Sequence, residues 1–203
     1  CPYAPSDVAT VPAGGELTVV TVGSDATVEG MANAWYEARA GGVTGWVFGA
    51  ALTPVAVRAD LDQDGDADVA TVAFTPDHRI RVRVGDRTLD LDTAGGAYLN
   101  QKGAGVYLEE VVPAGKVGVP LLHLRTGVEA CADFAEYWVS FGKDGPVLAH
   151  RDAGLVDPPN CYSFTPTYRP GRLVMTYTEN GCGDEGRPKK RKKGFRLVDG
   201  VFR

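Results

Sequence analysis

Between Asp60 and Asp68 the chain reads Asp-Leu-Asp-Gln-Asp-Gly-Asp-Ala-Asp, and it runs directly into Val69-Ala70-Thr71-Val72-Ala73-Phe74. Carboxylates this close repel one another by about 1 kcal/mol per pair even in water, so a loop that gathers them needs a neutralising centre. A hard cation with several oxygen ligands meets that need, and calcium accepts the irregular geometry that one short segment can offer. Gly65, sixth in the run, supplies the sharp turn such a loop requires. The β-branched run that follows predicts a strand leaving the loop rather than a helix. The ion would act as a staple, because every ligand comes from one segment and no position has to stay open for a substrate.

Up to Gly65 the pattern matches the opening half of an EF-hand loop, but the twelfth position is Thr71 where that loop carries a bidentate Glu. The residues instead resemble the short DxDxDGxxD calcium loops that precede strands in the FG-GAP and VCBS-type repeats of secreted bacterial proteins. The resemblance implies calcium held by the side chains of Asp60, Asp62, Asp64 and Asp68 and by the carbonyl of Asp66. It covers about nine residues and occurs once. A solvated acidic turn without metal is the competing reading, since Asp-Gly chemistry by itself makes turns.

A chain of 203 residues can bury a sizeable core and has room for one large or two small domains. Two are expected, over 1–54 and 55–203. Its 26 glycines and 13 prolines punctuate the sequence at short intervals and helical periodicity is almost absent. That combination predicts an all-β protein of many short strands joined by turns. The net charge of -5 implies neither nucleic acid nor an anionic membrane as a general partner. No apolar run is long enough to cross a bilayer, and no charged-then-apolar leader opens the sequence. The four cysteines, Cys1, Cys131, Cys161 and Cys182, have no zinc spacing. Their even number points to an oxidising compartment and one or two disulfides, with the pairing left open. Cys1 raises the idea of a lipid-modified first residue, but Pro2 to Pro12 runs into apparent domain structure where a polar tether would be expected.

Glu16 to Val22 alternates as a strand after the Gly14-Gly15 turn, and Trp35 to Arg39 and Gly45 to Leu52 give two more around Gly41-Gly42. In order and spacing, Val11-Pro12-Ala13-Gly14, Asn33-Ala34-Trp35-Tyr36, Gly41 to Val47 and Ala51-Leu52 resemble a bacterial SH3 domain. The resemblance spans about the first fifty-four residues and implies a small SH3-like barrel that binds cell-wall peptide or glycan. The first strand of that family, normally upstream of the segment Pro2 to Ser6, is missing.

After Pro54, Val55 to Arg58 carries the chain into the acidic loop, and the alternating runs beyond it are Val69–Phe74, Ile80–Val84, Thr88–Leu91, Val106–Val112, Leu121–Leu124, Phe134–Phe141, Val147–His150, Tyr162–Thr165 and Leu173–Thr178. Turns are expected at Gly85-Asp86, Gly95-Gly96, Pro113-Ala114-Gly115 and Lys143-Asp144-Gly145. Short connections predict an antiparallel meander, stacked on itself in a sandwich-like or incompletely propeller-like way. No repeat of constant period supports a full propeller.

Trp35, Tyr36, Trp46 and Phe48 are the candidate ligand-binding aromatics, because rigid rings suit an extended peptide or glycan. A barrel this small needs some of these side chains inside, and Trp46 or Val47 is expected to face the core. Strand alternation sends Trp35 and Tyr36 to opposite faces. The tract Lys189-Lys190-Arg191-Lys192-Lys193 reads as protection of an exposed edge strand more readily than as an anion-binding patch. Cys131 ahead of Asp133-Phe134 faintly resembles the start of cell-wall cysteine peptidases, with His150 as the one downstream histidine. Such an enzyme needs its Cys at a helix N-terminus. Phe134, Tyr137, Trp138 and Phe141 fit a helical stripe, yet Phe134, Glu136, Trp138 and Ser140 fit a strand equally well. His78, His123 and His150 share no metal spacing and read as ordinary turn or strand residues.

The expectation is therefore a secreted, periplasmic or cell-surface protein in which an SH3-like barrel is joined through a calcium loop to a larger antiparallel β domain. Non-catalytic binding or adhesion to cell-wall material or a protein partner is the leading function. A structural subunit of a surface assembly, self-associating through a supplied strand, and a Cys131–His150 hydrolase are the alternatives.

Overall fold

A computed structural model describes residues 9–12, 15–28, 31–52, 55–75, 79–93, 105–127, 133–157, 160–179 and 189–203. Strands dominate. The first group is β1 (Thr18–Val28), β2 (Met31–Ala40) and β3 (Val43–Phe48), closed by a 3-10 turn at Gly49–Ala51. Next come β4 (Val55–Ala59), β5 (Asp68–Phe74), β6 (Ile80–Val84) and β7 (Arg87–Leu91). The third group is β8 (Gly105–Val112), the one-turn helix α1 (Ala114–Val117), β9 (Leu121–Gly127), β10 (Asp133–Gly142) and β11 (Gly145–Asp157). It continues through β12 (Asn160–Arg169), β13 (Arg172–Glu179), β14 (Lys189–Val198) and β15 (Val201–Phe202). In each sheet the strand order follows the chain order, which gives three antiparallel meanders of three, four and eight strands among the described residues. The all-β class and the meander are as the sequence predicts.

Alternation explains how the sheets meet. Val55 and Val57 of β4, Ala70 and Val72 of β5, and Ile80 and Val82 of β6 point inward and are buried. They pack on Leu122, Leu124, Ala135, Tyr137, Val139 and Phe141 from β9 and β10, so the four-stranded sheet lies face to face with one end of the eight-stranded one. The opposite face of the large sheet buries a second set, including Trp138, Phe164, Leu173, Met175, Phe195 and Phe202, drawn from β10 and β12 to β15. One face can gather residues from so many strands only if the sheet curls around them. Gly171 N–H donates to the Val117 carbonyl at 2.9 Å, which ties the β12–β13 turn back to α1 and holds the curl. As a result every residue from Phe134 to Phe141 is buried. At roughly 1.5–3 kcal/mol for each large apolar side chain, this strand anchors the molecule.

Two expectations need adjustment. Pro113-Ala114-Gly115, expected as a turn, opens α1, where Pro113 precedes the helix and Gly118 ends it with φ 107°. Strands β11 and β12 extend well beyond the apolar cores Val147–His150 and Tyr162–Thr165, because their polar flanks remain paired as the sheet curls. Phe134 to Phe141 is strand, not helix, and turns at Lys143-Asp144 into β11. Gly95-Gly96 lies outside the described residues.

Candidate metal loop and binding surfaces

The acidic run links β4 to β5, whose pairing Ala59↔Asp68 brings its two ends together. Leu61 is fully buried and pins the loop into the core below it. Gln63 and Gly65 take left-handed φ of 65° and 98°, which folds the run back on itself. Backbone N–H groups then orient the carboxylates. Leu61 donates to Asp68 Oδ2 at 3.0 Å, Asp64 to Asp62 Oδ1 at 3.2 Å, and Gly65 to Asp60 Oδ2 at 3.2 Å. Carboxylate oxygens of Asp60, Asp62 and Asp68 lie within 4.8 Å of one another and could hold a metal ion. Two oxygens on one calcium cannot stand more than about 5 Å apart, so the group fits that ion. No basic side chain among the described residues forms an ion pair with any of the three. The carboxylates of Asp64 and Asp66 stand outside the group, and the carbonyl expected of Asp66 is a separate ligand. The Asp64 carboxylate accepts the Asp66 N–H at 2.8 Å and so supports the turn. The loop delivers a strand, and it lies inside one hairpin of the second sheet.

The candidate aromatics divide between the two faces of the first sheet. Trp35 pairs across the strands with Phe48, ring centroids 5.4 Å apart, and Phe48 is buried. Tyr36 pairs with Val47 and faces the other way, as alternation requires. Of the two side chains expected to face the core, Val47 is half-buried and Trp46 is 55% exposed. The Trp46 ring lies over Gly23, where an added Cβ would come within 2.4 Å of it. Val19, Val20, Val22 and Val43 are exposed on the same sheet. Between the Tyr36 face and the outer face of β4–β6 lies an open cleft of about 1300 Å³, with Ala38, Gly45 and Val47 on one wall and Arg58, Thr71, Arg81 and Arg83 on the other.

The curl of the large sheet encloses a polar network that the sequence reading missed. His123 Nε2 lies 2.6 Å from Glu136 Oε2, a buried hydrogen bond in which the carboxylate accepts. The imidazole stacks on Trp138 at 4.4 Å, and Trp138 Nε1–H donates to the Tyr168 hydroxyl at 2.9 Å. On the other side of Trp138, His150 Nε2 is buried without a hydrogen bond, 3.8 Å from Asp152 Oδ2. The Tyr177 hydroxyl donates to that same oxygen at 2.5 Å. Burial opposes the Asp152 charge, but His150, Tyr177 and the Ala153 N–H together outweigh it and hold the carboxyl below its usual value. Burial first, and then the Asp152 carboxylate, push the Tyr177 hydroxyl upward. The partners lie 13 and 25 residues apart in sequence, so no local motif announces them.

The lysine-rich tract forms the outer part of β14. Residues 189–194 are exposed, and β15 pairs only with Leu197 and Val198. Alternation places Arg191 over the Tyr177 ring and Lys193 over Phe195. Cys1, Cys131 and Cys182 lie outside the described residues, as does His78, and Cys161 enters only as a backbone position in β12. The expected disulfides therefore fall outside what is described. From Asp133 onward the chain is the strand β10. Among the described residues no helix is long and apolar enough to cross a membrane. No protein-family model matches the chain, and neither a curated protein nor a solved structure matches it.

Proposed function

We propose that this chain is a non-catalytic binding module of the secreted or cell-envelope type, clamped by one calcium ion in the 60–68 loop. The observation that carries the reading is the convergence of Asp60, Asp62 and Asp68 within 4.8 Å, each with one carboxylate oxygen already oriented by a backbone N–H. Calcium cancels their repulsion and fixes the β4–β5 hairpin. A site with so few protein oxygens suits the weak affinities of extracellular modules, which work at millimolar calcium. The binding surface is the first sheet, a three-stranded meander whose exposed Trp46 and valines suit an extended cell-wall peptide or glycan.

Millimolar calcium at about tenfold over the dissociation constant of such a site stabilises the protein by about 1.4 kcal/mol, which for a chain of this size moves the melting temperature by roughly 3–6 °C. The test is thermal unfolding with millimolar calcium or with chelator, on the wild type and on Asp60→Asn. The expected result is a rise with calcium that Asp60→Asn abolishes. Equal melting temperatures in calcium and chelator overturn the clamp. Sedimentation with purified peptidoglycan tests the binding half, with wild type retained and Trp46→Ala released. Wild type left in the supernatant contradicts it.

A further inference from the structure

We propose that the cleft between the first sheet and β4–β6 is a docking groove for an extended acidic peptide, one with carboxylates at alternate positions and small apolar residues between them. The inference rests on the binding-module reading and names a ligand for the Tyr36 face of the first sheet, the face opposite Trp46.

The two walls differ in chemistry. On the first sheet, the cross-strand pairs Tyr36↔Val47 and Ala38↔Gly45 make a smooth apolar floor, shallow where Ala38 and Gly45 meet. Facing it, alternation turns Arg58, Thr71, Arg81 and Arg83 outward, because Val57, Ala70, Val72 and Val82 are committed to the core behind them. Glu16 is the one acidic residue lining the cleft among the described residues. Three arginines thus stand on this wall, interleaved with Ala56, Val69 and Ala73, in a chain whose net charge is -5.

The arginines are unequally engaged. Arg81 is held by Asp90 through two hydrogen bonds of 2.7 Å. Arg58 meets Glu16 at 3.3 Å with both side chains largely in solvent, an arrangement of little energetic weight. Arg83 donates Nε–H to the Gly85 carbonyl and has no carboxylate partner among the described residues. A ligand carboxylate would complete its charge pairing.

Spacing selects the ligand class. Arg81 and Arg83 are two apart on β6, about 6.6 Å at the strand rise, which is also the repeat between alternate side chains of an extended peptide. A peptide lying along β6 sends one set of side chains to Arg83 and to the half-exposed Arg81, where it shares the guanidinium with Asp90, and the other set to the Ala38–Gly45 floor. Arg83 is the position where a ligand carboxylate meets a charge with no carboxylate partner among the described residues.

The test is fluorescence anisotropy of the full chain with a labelled Glu-Ala repeat peptide, a Lys-Ala repeat as control, and polygalacturonate as the anionic glycan. The variants are Arg83→Gln, Thr71→Glu and Lys190→Gln. Thr71 pairs across the strands with Arg83, so a glutamate there supplies the missing carboxylate internally without disturbing the sheet. The Glu-Ala peptide is expected to bind saturably and more weakly as salt rises. Arg83→Gln should weaken it about tenfold or more and Thr71→Glu should abolish it, with Lys190→Gln unchanged. Absence of saturable binding overturns the proposal, as does binding indifferent to both cleft variants. Polygalacturonate binding in place of the peptide, with the same arginine dependence, overturns the choice of peptide. Retention on peptidoglycan that survives failure of the peptide assay leaves the binding-module reading standing and removes only the acidic-peptide groove.

Discussion

Trp138 and Trp46 are both strand tryptophans flanked by alternating side chains, yet one is fully buried and the other is 55% exposed. Trp138 sits on the face of β10 turned away from the four-stranded sheet and is covered by the curl of its own sheet. Its indole stacks on His123 and its N–H is satisfied by Tyr168. Trp46 sits on β3, in a sheet of three strands where no second layer among the described residues buries the ring, and it lies over Gly23. The strand pattern is the same in both places. What separates a structural aromatic from one free to meet a ligand is whether further strands curl over it, a property of distant sequence.

Changes made in parallel in the two regions test that contrast. Trp138→Ala removes the largest fully buried side chain and should cost about 3–5 kcal/mol in urea unfolding, enough to put most of a marginal domain at risk. A loss under 1 kcal/mol would mean that the curl is not packed as described. Gly154→Ala comes next. A Cβ there would stand 2.2 Å from the buried Phe134 ring and 2.8 Å from the Tyr162 carbonyl, neither able to yield easily, so roughly 1–3 kcal/mol of overpacking is expected.

Asp152→Asn should cost a comparable or smaller amount at neutral pH, on the order of 1–2 kcal/mol, by weakening the Tyr177 hydrogen bond. Its folded-state pKa is depressed, so the contribution of the carboxylate is present above the usual 3.8 and is lost as the pH falls through the folded value. The gap between wild type and variant should therefore close on acidification below about pH 4, and a gap that widens there would reverse the assignment. Trp46→Ala and Gly23→Ala should lie within about 0.5 kcal/mol of wild type, because an exposed ring can be lost or displaced at little cost. A large loss from either would place Trp46 in a core.

The residues that were legible in sequence carry local constraints. Ile80–Val84 alternates strictly, and Gly85-Asp86 turns it into β7. The tight acidic run could not enter a core, and Gly65 dictated where it bends. Less legible was anything decided by partners far along the chain. Arg151, Asp152 and Thr167 interrupt the apolar pattern, so β11 and β12 look shorter than they are, although curl and pairing keep those residues in register. Of the five loop aspartates, spacing alone could not tell which would converge. Asp68 joins Asp60 and Asp62 because β5 pairs back on β4, while Asp64 is drawn to the Asp66 N–H. His123 looked like an ordinary strand residue until β10 brought Glu136 and Trp138 against it.

The claim on which the functional account depends is that the Asp60–Asp62–Asp68 group holds a divalent ion. Native mass spectrometry of the intact chain in millimolar calcium, before and after chelator, tests it most directly. The account predicts one calcium per chain, removed by chelator and absent from Asp60→Asn and Asp68→Asn. A chain whose mass is the same in both conditions, or whose bound calcium survives both substitutions, would contradict it.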